Sequence, residues 1–296
     1  MERKTLVYLS YGGHPVQVAE TTYGVLSARR AVGAQPGTDV LLYTDHPSLY
    51  EGLPVGLRPI SPEELAAWAG PDGYLHRRKL EVVADALAST GGPVVFVDSD
   101  TWFRKPAGRL FERIGPGRTV LHLLEGTLEQ GRAPDRELAA QLDAQLGAGG
   151  ATDADGRGAP LSGRSPMWNS GVVGVHPADS DLVAEALRLT DEVYAQHDGL
   201  FTVEQLATGH AFAQGATVSP SSDVVYHYWH DLVREPFRRR LPSLLAETAG
   251  LPLEERLEVL HRARPRLVGR ERARFLAKEL YRATGRRTGT IRGSAS

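Results

Sequence analysis

Short runs of apolar residues, many of them β-branched, alternate along the chain with longer segments in which apolar residues recur at helical spacing. The short runs predict strands and the longer segments predict amphipathic helices. Strands are predicted at residues 5–10, 40–43, 57–60, 94–97, 120–124, 171–175 and 224–228. Helices are predicted at residues 15–32, 76–89, 137–146, 181–196 and 201–214, with another that begins after Ser61. This alternation indicates βαβ units and a mainly parallel sheet, so we expect an α/β protein.

The composition is that of a globular enzyme rather than a nucleic-acid-binding protein. The chain has 296 residues, 41% of them hydrophobic, which is enough to bury a substantial core. Its net charge of −2 gives no reason to expect a nucleic-acid partner. Cysteine is absent, which excludes disulfides and thiolate metal sites and fits a reducing cytosol. No apolar run approaches the roughly 20 residues of a membrane span, and the N-terminus lacks a signal-peptide pattern, so we expect a cytoplasmic protein.

Basic residues concentrate toward the C-terminus. Residues 251–296 contain 12 Lys or Arg against 5 Asp or Glu. This segment is interpreted either as a solvated helical surface or as an arm that docks peripherally on the inner face of a membrane, where each basic residue contributes about 1 kcal/mol. We therefore predict a main domain at 1–240, a helical extension at 241–284 and a disordered tail at 285–296. Segment 147–164, rich in Gly, Ala and Asp, is predicted to be a mobile loop or lid.

The strongest candidate for chemistry is a pair of carboxylates that follows a buried strand. Residues 94–97 are Val-Val-Phe-Val, and Asp98, Ser99 and Asp100 come directly after them. Ligands of open α/β sheets bind just beyond the carboxyl ends of the strands. Two carboxylates that lie close together resist ionisation unless a cation joins them. Mg²⁺ and Mn²⁺ prefer oxygen ligands, so the pair is a candidate metal site.

This Asp-Ser-Asp sequence resembles the Asp-x-Asp motif of glycosyltransferases with the GT-A fold, where the motif holds a metal that grips the diphosphate of a nucleotide sugar. A second element points the same way: Asn169-Ser170-Gly171 lies 69 residues after Asp100. It is similar to the Asn-[Ala/Ser]-Gly element of glycosyltransferase family 8 and its relatives, which lines the donor-sugar pocket. Taken without the resemblance, it is equally well a Gly-containing turn that opens a strand.

The resemblance also implies a late His in the metal site, and neutral imidazole is an acceptable ligand for Mn²⁺. His227 matches that position best, and His230 is its competitor. Trp229 and His230 are expected to contact the acceptor or a phosphate. The Gly and Lys-Pro-Trp that follow this His in the family are absent, which leaves the phosphate contacts open.

Further residues are assigned to the donor and the acceptor by the same resemblance. Glu204 and Gln205 match an acid–amide pair of many GT-A enzymes, so we expect them to orient an acceptor hydroxyl or to act as a general base. A Glu in the first turn of a helix is also favoured by the helix dipole alone. The predicted donor-binding residues are Tyr8, Ser10, Tyr11, Arg77, Lys79, Asp98, Ser99, Asn169, Ser170 and Gly171.

Together the motifs predict a GT-A, Rossmann-like fold with a mainly parallel sheet flanked by helices and a C-terminal helical extension. The predicted activity is that of a metal-dependent glycosyltransferase, a hexosyltransferase that moves a sugar from a nucleoside-diphosphate sugar to an acceptor hydroxyl, with UDP as the favoured nucleotide. Asp98, Asp100 and His227 would hold Mn²⁺ or Mg²⁺. The acceptor and the stereochemistry of transfer are not determined by the sequence.

Three other functions are considered. A haloacid-dehalogenase-like phosphatase would use Asp98 as nucleophile, but that motif normally follows the first strand of its fold. A nucleotidyltransferase would carry a glycine-rich basic signature after the first strand, which residues 11–16 lack. A non-catalytic nucleotide-sugar-binding domain is the third alternative, and the three intact candidate ligands argue against it.

Overall fold

A computed structural model of the chain describes residues 2–33, 37–131, 133–145, 160–196 and 202–266. The strands are β1 (Lys4–Ser10), β2 (Thr38–Thr44), β3 (Gly56–Pro59), β4 (Val94–Val97), β5 (Thr101–Phe103), β6 (Arg118–Thr127), β7 (Pro166–Val175), β8 (Thr217–Pro220) and β9 (Val225–His227). The helices are α1 (Pro15–Val32), α2 (Pro62–Trp68), α3 (Arg77–Thr90), α4 (Gly108–Phe111), α5 (Ala133–Gln145), α6 (Ser180–Tyr194), α7 (Val203–Gly215), α8 (Asp231–Thr248) and α9 (Leu253–Arg262).

Seven strands form one central sheet in the order β3-β2-β1-β4-β7-β6-β8. All neighbours in this sheet are parallel except β7, which runs antiparallel to both β4 and β6. The predicted α/β class with a mainly parallel sheet flanked by helices is therefore confirmed. β5 and β9 form a separate antiparallel pair. Neither β5 nor β8 was expected from the sequence.

The central strand β4 is buried on both faces, as its continuous apolar sequence predicts. Val94 and Phe96 pack in the hydrophobic cluster formed with α3, α6 and α7, whereas Val95 and Val97 pack in the opposite cluster, with α1 and α4. Fully burying a side chain of this size stabilises the fold by about 1.5–3 kcal/mol. The two cores therefore hold the end of β4, and the acidic residues that follow it, in a fixed position.

The C-terminal helices pack on α1. Phe237 and Leu241 of α8 and Leu257 of α9 share a hydrophobic cluster with Tyr23 of α1. The domain boundary predicted after residue 240 falls inside α8, which continues without a break to Thr248. At that point the extension is thus not separated from the main domain.

Several predicted segments lie wholly or mostly outside the described residues. They are the disordered tail 285–296, the part of the extension and the basic segment beyond residue 266, and residues 147–159 of the predicted lid. In the part of the chain that the structure describes, no helix combines the length and the apolar composition needed to cross a membrane.

Candidate metal and ligand site

A cavity of about 370 Å³ opens beside the carboxyl ends of β1 and β4. Its position follows the general rule for ligand sites in open α/β sheets. It brings together most of the residues predicted from the sequence: Tyr11, Lys79, Asp98, Ser99, Asp100, Asn169, Ser170, Gly171, Glu204, Gln205, His227 and Trp229. The volume lies within the usual range of small-molecule sites.

Strand pairing brings the distant site residues into contact. β5 begins at Thr101, directly after the acidic pair, and pairs with β9 so that Thr101 lies opposite His227. The amide of Tyr228 donates to the Asp100 carbonyl over 2.9 Å, which holds the two segments in this register. The amide of Asp98 donates to the carbonyl of Gly171 in β7, also over 2.9 Å. Three segments far apart in sequence thus meet at the end of β4.

Asp98, Asp100 and His227 form a compact group of potential metal ligands. One ligand atom from each lies within 4.8 Å of the others. His227 Nε2 is 3.2 Å from Asp100 Oδ1 and 3.8 Å from Asp98 Oδ2. Asp100 and His227 are largely buried, whereas Asp98 is partly exposed to the cavity. Two carboxylates and an imidazole are a suitable donor set for Mn²⁺.

The hydrogen bonds of His227 agree with such a role. Asn169 Oδ1 accepts the Gly171 amide over 3.0 Å, and Asn169 Nδ2 donates to Glu125 Oε1 over 3.2 Å, which fixes the orientation of the amide group. His227 Nδ1 lies 2.9 Å from the same Asn169 Oδ1, so Nδ1 must carry the hydrogen. Nε2, the other ring nitrogen, faces the two carboxylates, and it offers its lone pair to a metal whenever His227 is neutral. Partners of this kind commonly fix the tautomer of a metal-ligating His.

This arrangement adds to the predicted role of Asn169. Its Oδ1 is used by Gly171 and His227, so Asn169 orients the imidazole, while Nδ2 donates one hydrogen to Glu125 and keeps a second for a ligand in the cavity. It also lies within β7, which begins at Pro166 and not at residue 171 as the pattern predicted. Gly171 is required at its position because the imidazole of His227 lies where a Cβ would be.

A cationic side chain lies beside each of the two carboxylates. Lys79 Nζ is 3.2 Å from Asp98 Oδ2, and Arg234 Nη1 is 2.9 Å from Asp100 Oδ2. Burial alone would raise the pKa of Asp100, but the charges of His227 and Arg234 hold it well below its usual value. Burial would likewise lower the pKa of His227, but the neighbouring carboxylates raise it. The site therefore contains closely spaced charges of both signs before any ligand binds.

Glu204 and Gln205 occupy different environments. Glu204 is only 3% exposed and accepts hydrogen bonds from Ser170 Oγ over 2.9 Å and from Thr208 Oγ1 over 3.2 Å. Burial raises its pKa, and the charge of Lys79 opposes that effect. Gln205 Nε2 instead donates over 3.0 Å to Glu125 Oε2, at the exposed edge of the cavity. Glu125, which was not predicted from the sequence, is a more exposed carboxylate than Glu204.

Four predicted site residues are not among the described residues that line the cavity. The hydroxyl of buried Tyr8 donates to the Gly24 carbonyl, and Ser10 Oγ shares a hydrogen bond with the hydroxyl of Tyr50, in the short 3₁₀ helix at Pro47–Tyr50. The guanidinium of Arg77 is committed to carboxylates on α3 and α6. His230 Nδ1 accepts the Leu232 amide and caps α8, so His227 is the candidate third metal ligand.

Arg234 was also missed by the sequence analysis. It lies in the second turn of α8, seven residues after His227, and no motif marks it. Glu125 gave a clearer signal, since it is an acid that follows the apolar residues of β6, as Asp98 follows those of β4. A search of every strand end for acids would have found Glu125 but not Arg234.

A buried His beneath the site gives a testable pH dependence. The ring of His122 packs edge-on against His227, with 5.4 Å between centroids, and its Nε2 donates to the Val225 carbonyl. Burial and the nearby charge of His227 lower the pKa of His122 to about 4. Its pKa in the unfolded chain is about 6.5, so the unfolded state binds the proton first as the pH falls. We therefore expect His122 to lower the free energy of unfolding by up to about 3 kcal/mol as the pH is lowered from about 6.5 to about 4.

The measurement is the free energy of urea unfolding at both ends of this pH window, in the parent and in His122→Phe. His122→Phe lacks the hydrogen bond to Val225 at every pH, so its absolute stability differs from that of the parent. The comparison is therefore between the changes in unfolding free energy from one pH to the other. A smaller acid-induced loss in His122→Phe is expected. Equal losses in the two proteins would show that His122 does not cause the dependence.

Comparison with known proteins does not place the chain in a family. No family model matches it, and no curated protein matches it. Fold and site together define an α/β protein with a candidate divalent-metal group beside a cavity at the carboxyl edge of its sheet.

Proposed function

We propose that the protein is a metal-dependent glycosyltransferase with the GT-A fold. It would transfer a sugar from a nucleoside-diphosphate sugar, with UDP as the favoured nucleotide, to the hydroxyl of an acceptor. One observation carries the proposal: Asp98, Asp100 and His227 converge at the end of β4. The Asn169–Gly171 segment lies beside them, although these elements are far apart in the sequence. This is the combination of residues that the resemblance to family 8 implies.

Asp98, Asp100 and His227 fit a divalent cation, because the hydrogen bonds of His227 leave its Nε2 facing the two carboxylates. Two carboxylates and the Nε2 atom of a neutral His227 would hold Mn²⁺ or Mg²⁺. When bound there, the metal supplies Lewis-acid stabilisation of the charge that grows on the departing diphosphate. Asn169 and Glu125 keep the imidazole in the required tautomer throughout.

The remaining residues divide between the two substrates. Glu125 and Gln205 present a carboxylate and an amide at the accessible edge of the cavity, where they can hydrogen-bond an acceptor hydroxyl. Glu204 is enclosed by Ser170 and Thr208 and so acts by positioning its neighbours. Trp229 lines the same cavity with its side chain 41% exposed, which offers an apolar surface for a sugar or another ring.

Two parts of this proposal rest on the sequence alone. The absence of cysteine is compatible with a cytoplasmic location. The excess of basic residues at 251–296 is compatible with peripheral contact with an anionic membrane as well as with a solvated helical surface.

The test is calorimetric titration of UDP into the full chain with and without Mn²⁺. We expect binding that depends on Mn²⁺ and that EDTA reverses, because the metal links the diphosphate to the two aspartates. A screen of UDP-sugars for Mn²⁺-dependent release of UDP then identifies the donor. If UDP, GDP and dTDP all fail to bind in the presence of Mn²⁺, the proposal is wrong. Binding of UDP without turnover of any donor would instead favour a non-catalytic nucleotide-sugar-binding domain.

A further inference from the structure

Two residues with a permanent positive charge, Lys79 and Arg234, line the cavity within the described part of the chain. Lys79 contacts Asp98, and Arg234 contacts Asp100. Either charge could attract an anionic ligand. They differ in the number of hydrogen-bond donors that remain for it.

The ammonium group of Lys79 is fully used within the protein. It has three N–H donors. Its Nζ lies 3.2 Å from Asp98 Oδ2 and 3.1 Å from both the carbonyl oxygen and Oγ of Ser170. The side chain is also buried. Lys79 therefore organises the site, but it has no donor left for a ligand.

Arg234 has donors to spare. A guanidinium carries five N–H groups in a planar fork. Its Nε and Nη2 donate to the two carboxylate oxygens of Glu20 over 3.1 and 3.0 Å, and its Nη1 is 2.9 Å from Asp100 Oδ2. These contacts use one hydrogen on each nitrogen, so each terminal nitrogen keeps a second N–H. The side chain is 25% exposed and lines the cavity.

The carboxylate of Glu20 fixes this guanidinium in place. Glu20 is fully buried in α1, and it also binds Arg238, the next turn of α8, over 2.7 Å. A bidentate contact of this kind sets the plane of the guanidinium as well as its position. The remaining N–H groups of Arg234 are thus pre-oriented, which lowers the entropic cost of binding a ligand.

We infer that Arg234 is the residue that hydrogen-bonds the phosphate groups of the ligand. Arg234 contacts Asp100 directly, so a ligand held both by Arg234 and by a metal on Asp100 must offer several anionic oxygens close together. A diphosphate does so, and planar guanidinium groups match phosphate geometry. This inference rests on the proposed function of the cavity, and it assigns the phosphate contact that the sequence left open.

The experiment compares Arg234→Ala with Arg238→Ala by titration of UDP and UMP in the presence of Mn²⁺. Arg238 is the matched control because it lies on the same helix and binds the same Glu20, but it does not line the cavity. Loss of a charge-assisted hydrogen bond predicts that Arg234→Ala weakens UDP binding about 10- to 100-fold. We expect a smaller loss for UMP, which has one phosphate, and less than about a threefold change for either nucleotide in Arg238→Ala.

Binding of Mn²⁺ alone, followed by electron paramagnetic resonance, separates this role from an indirect one. We expect Arg234→Ala to lose more affinity for UDP than for Mn²⁺ alone, because Arg234 also pairs with Asp100 and partners of metal ligands contribute to metal affinity. If the loss of Mn²⁺ affinity accounts for the whole loss of UDP affinity, Arg234 only positions Asp100 and the inference is wrong. Equal UDP affinity in Arg234→Ala and Arg238→Ala would overturn it as well. If Arg234→Ala does not fold, Arg234→Gln replaces it, since Gln can still donate to Glu20. Failure of the parent protein to bind any of UDP, GDP and dTDP in the presence of Mn²⁺ would refute the proposed function itself.

Discussion

Asp100→Asn is expected to remove Mn²⁺ binding and, with it, metal-dependent turnover of a nucleotide sugar. Asp100 is buried, with one carboxylate oxygen facing His227 and the other held by Arg234. Asn has nearly the same shape, but it is neutral and its amide nitrogen is no metal ligand. Even partners outside the ligand set contribute 10- to 100-fold to metal affinity, so loss of a ligand should cost at least about 100-fold.

The substitution also has a cost in stability that must be measured separately. It weakens the ion pairs of Asp100 with His227 and Arg234, and hydrogen bonds to charged groups contribute about 1.5–3 kcal/mol each. Asp223→Asn is the matched control, because Asp223 pairs with Arg113 and Lys105 away from the cavity. Mn²⁺ affinity is compared at a temperature where both variants are folded. Parent-like Mn²⁺ binding by Asp100→Asn would exclude this carboxylate as a ligand.

Gly171→Ala is expected to weaken metal binding without changing any ligand. The new Cβ would overlap the imidazole of His227, which must then move away from Asn169 and from the two aspartates. Overpacking of a buried site typically costs 1–3 kcal/mol. We therefore expect both a lower free energy of unfolding and a loss of Mn²⁺ affinity of at least about tenfold, in line with other changes around a metal site.

A second glycine of β7 separates the two effects. A Cβ at Gly174 would lie 2.8 Å from Ile114 Cδ1 and 3.0 Å from Val120 Cβ, in the hydrophobic core and away from the cavity. Gly174→Ala should thus lose stability to a similar degree but keep its Mn²⁺ affinity. If Gly171→Ala and Gly174→Ala bind Mn²⁺ equally well, displacement of His227 by a Cβ at position 171 does not affect metal binding.

Much of the fold could be predicted because local sequence encodes the type of each element. The predicted limits of α1 and β4 agree with the structure, and most other elements differ from it by a few residues. The antiparallel direction of β7 was not predicted. Its apolar residues alternate between two buried faces in the same way whether the strand runs parallel or antiparallel to β4, so the pattern carries no information on direction.

The sequence by itself determined the chemical identity of the candidate site. A buried strand that ends in two carboxylates marks Asp98 and Asp100, and an aromatic run supplies two candidate histidines, His227 and His230. These signals are local, since each lies at or next to the end of a strand that its own composition predicts. The structure adds that Asp98, Asp100 and His227 lie within reach of a single ion.

Only the tertiary structure decided how the neighbours of that site are used. Pairing of β5 with β9 sets His227 beside Asp100, and the packing of α8 on α1 brings Arg234 to the same carboxylate. Hydrogen bonds from Ser170 and Thr208 hold the carboxylate of Glu204 in a buried position, whereas Glu125 is exposed at the edge of the cavity. These contacts join residues up to 214 positions apart, so they depend on register and helix packing. Periodicity along the chain specifies which face of an element is buried, but not which distant residue it will meet.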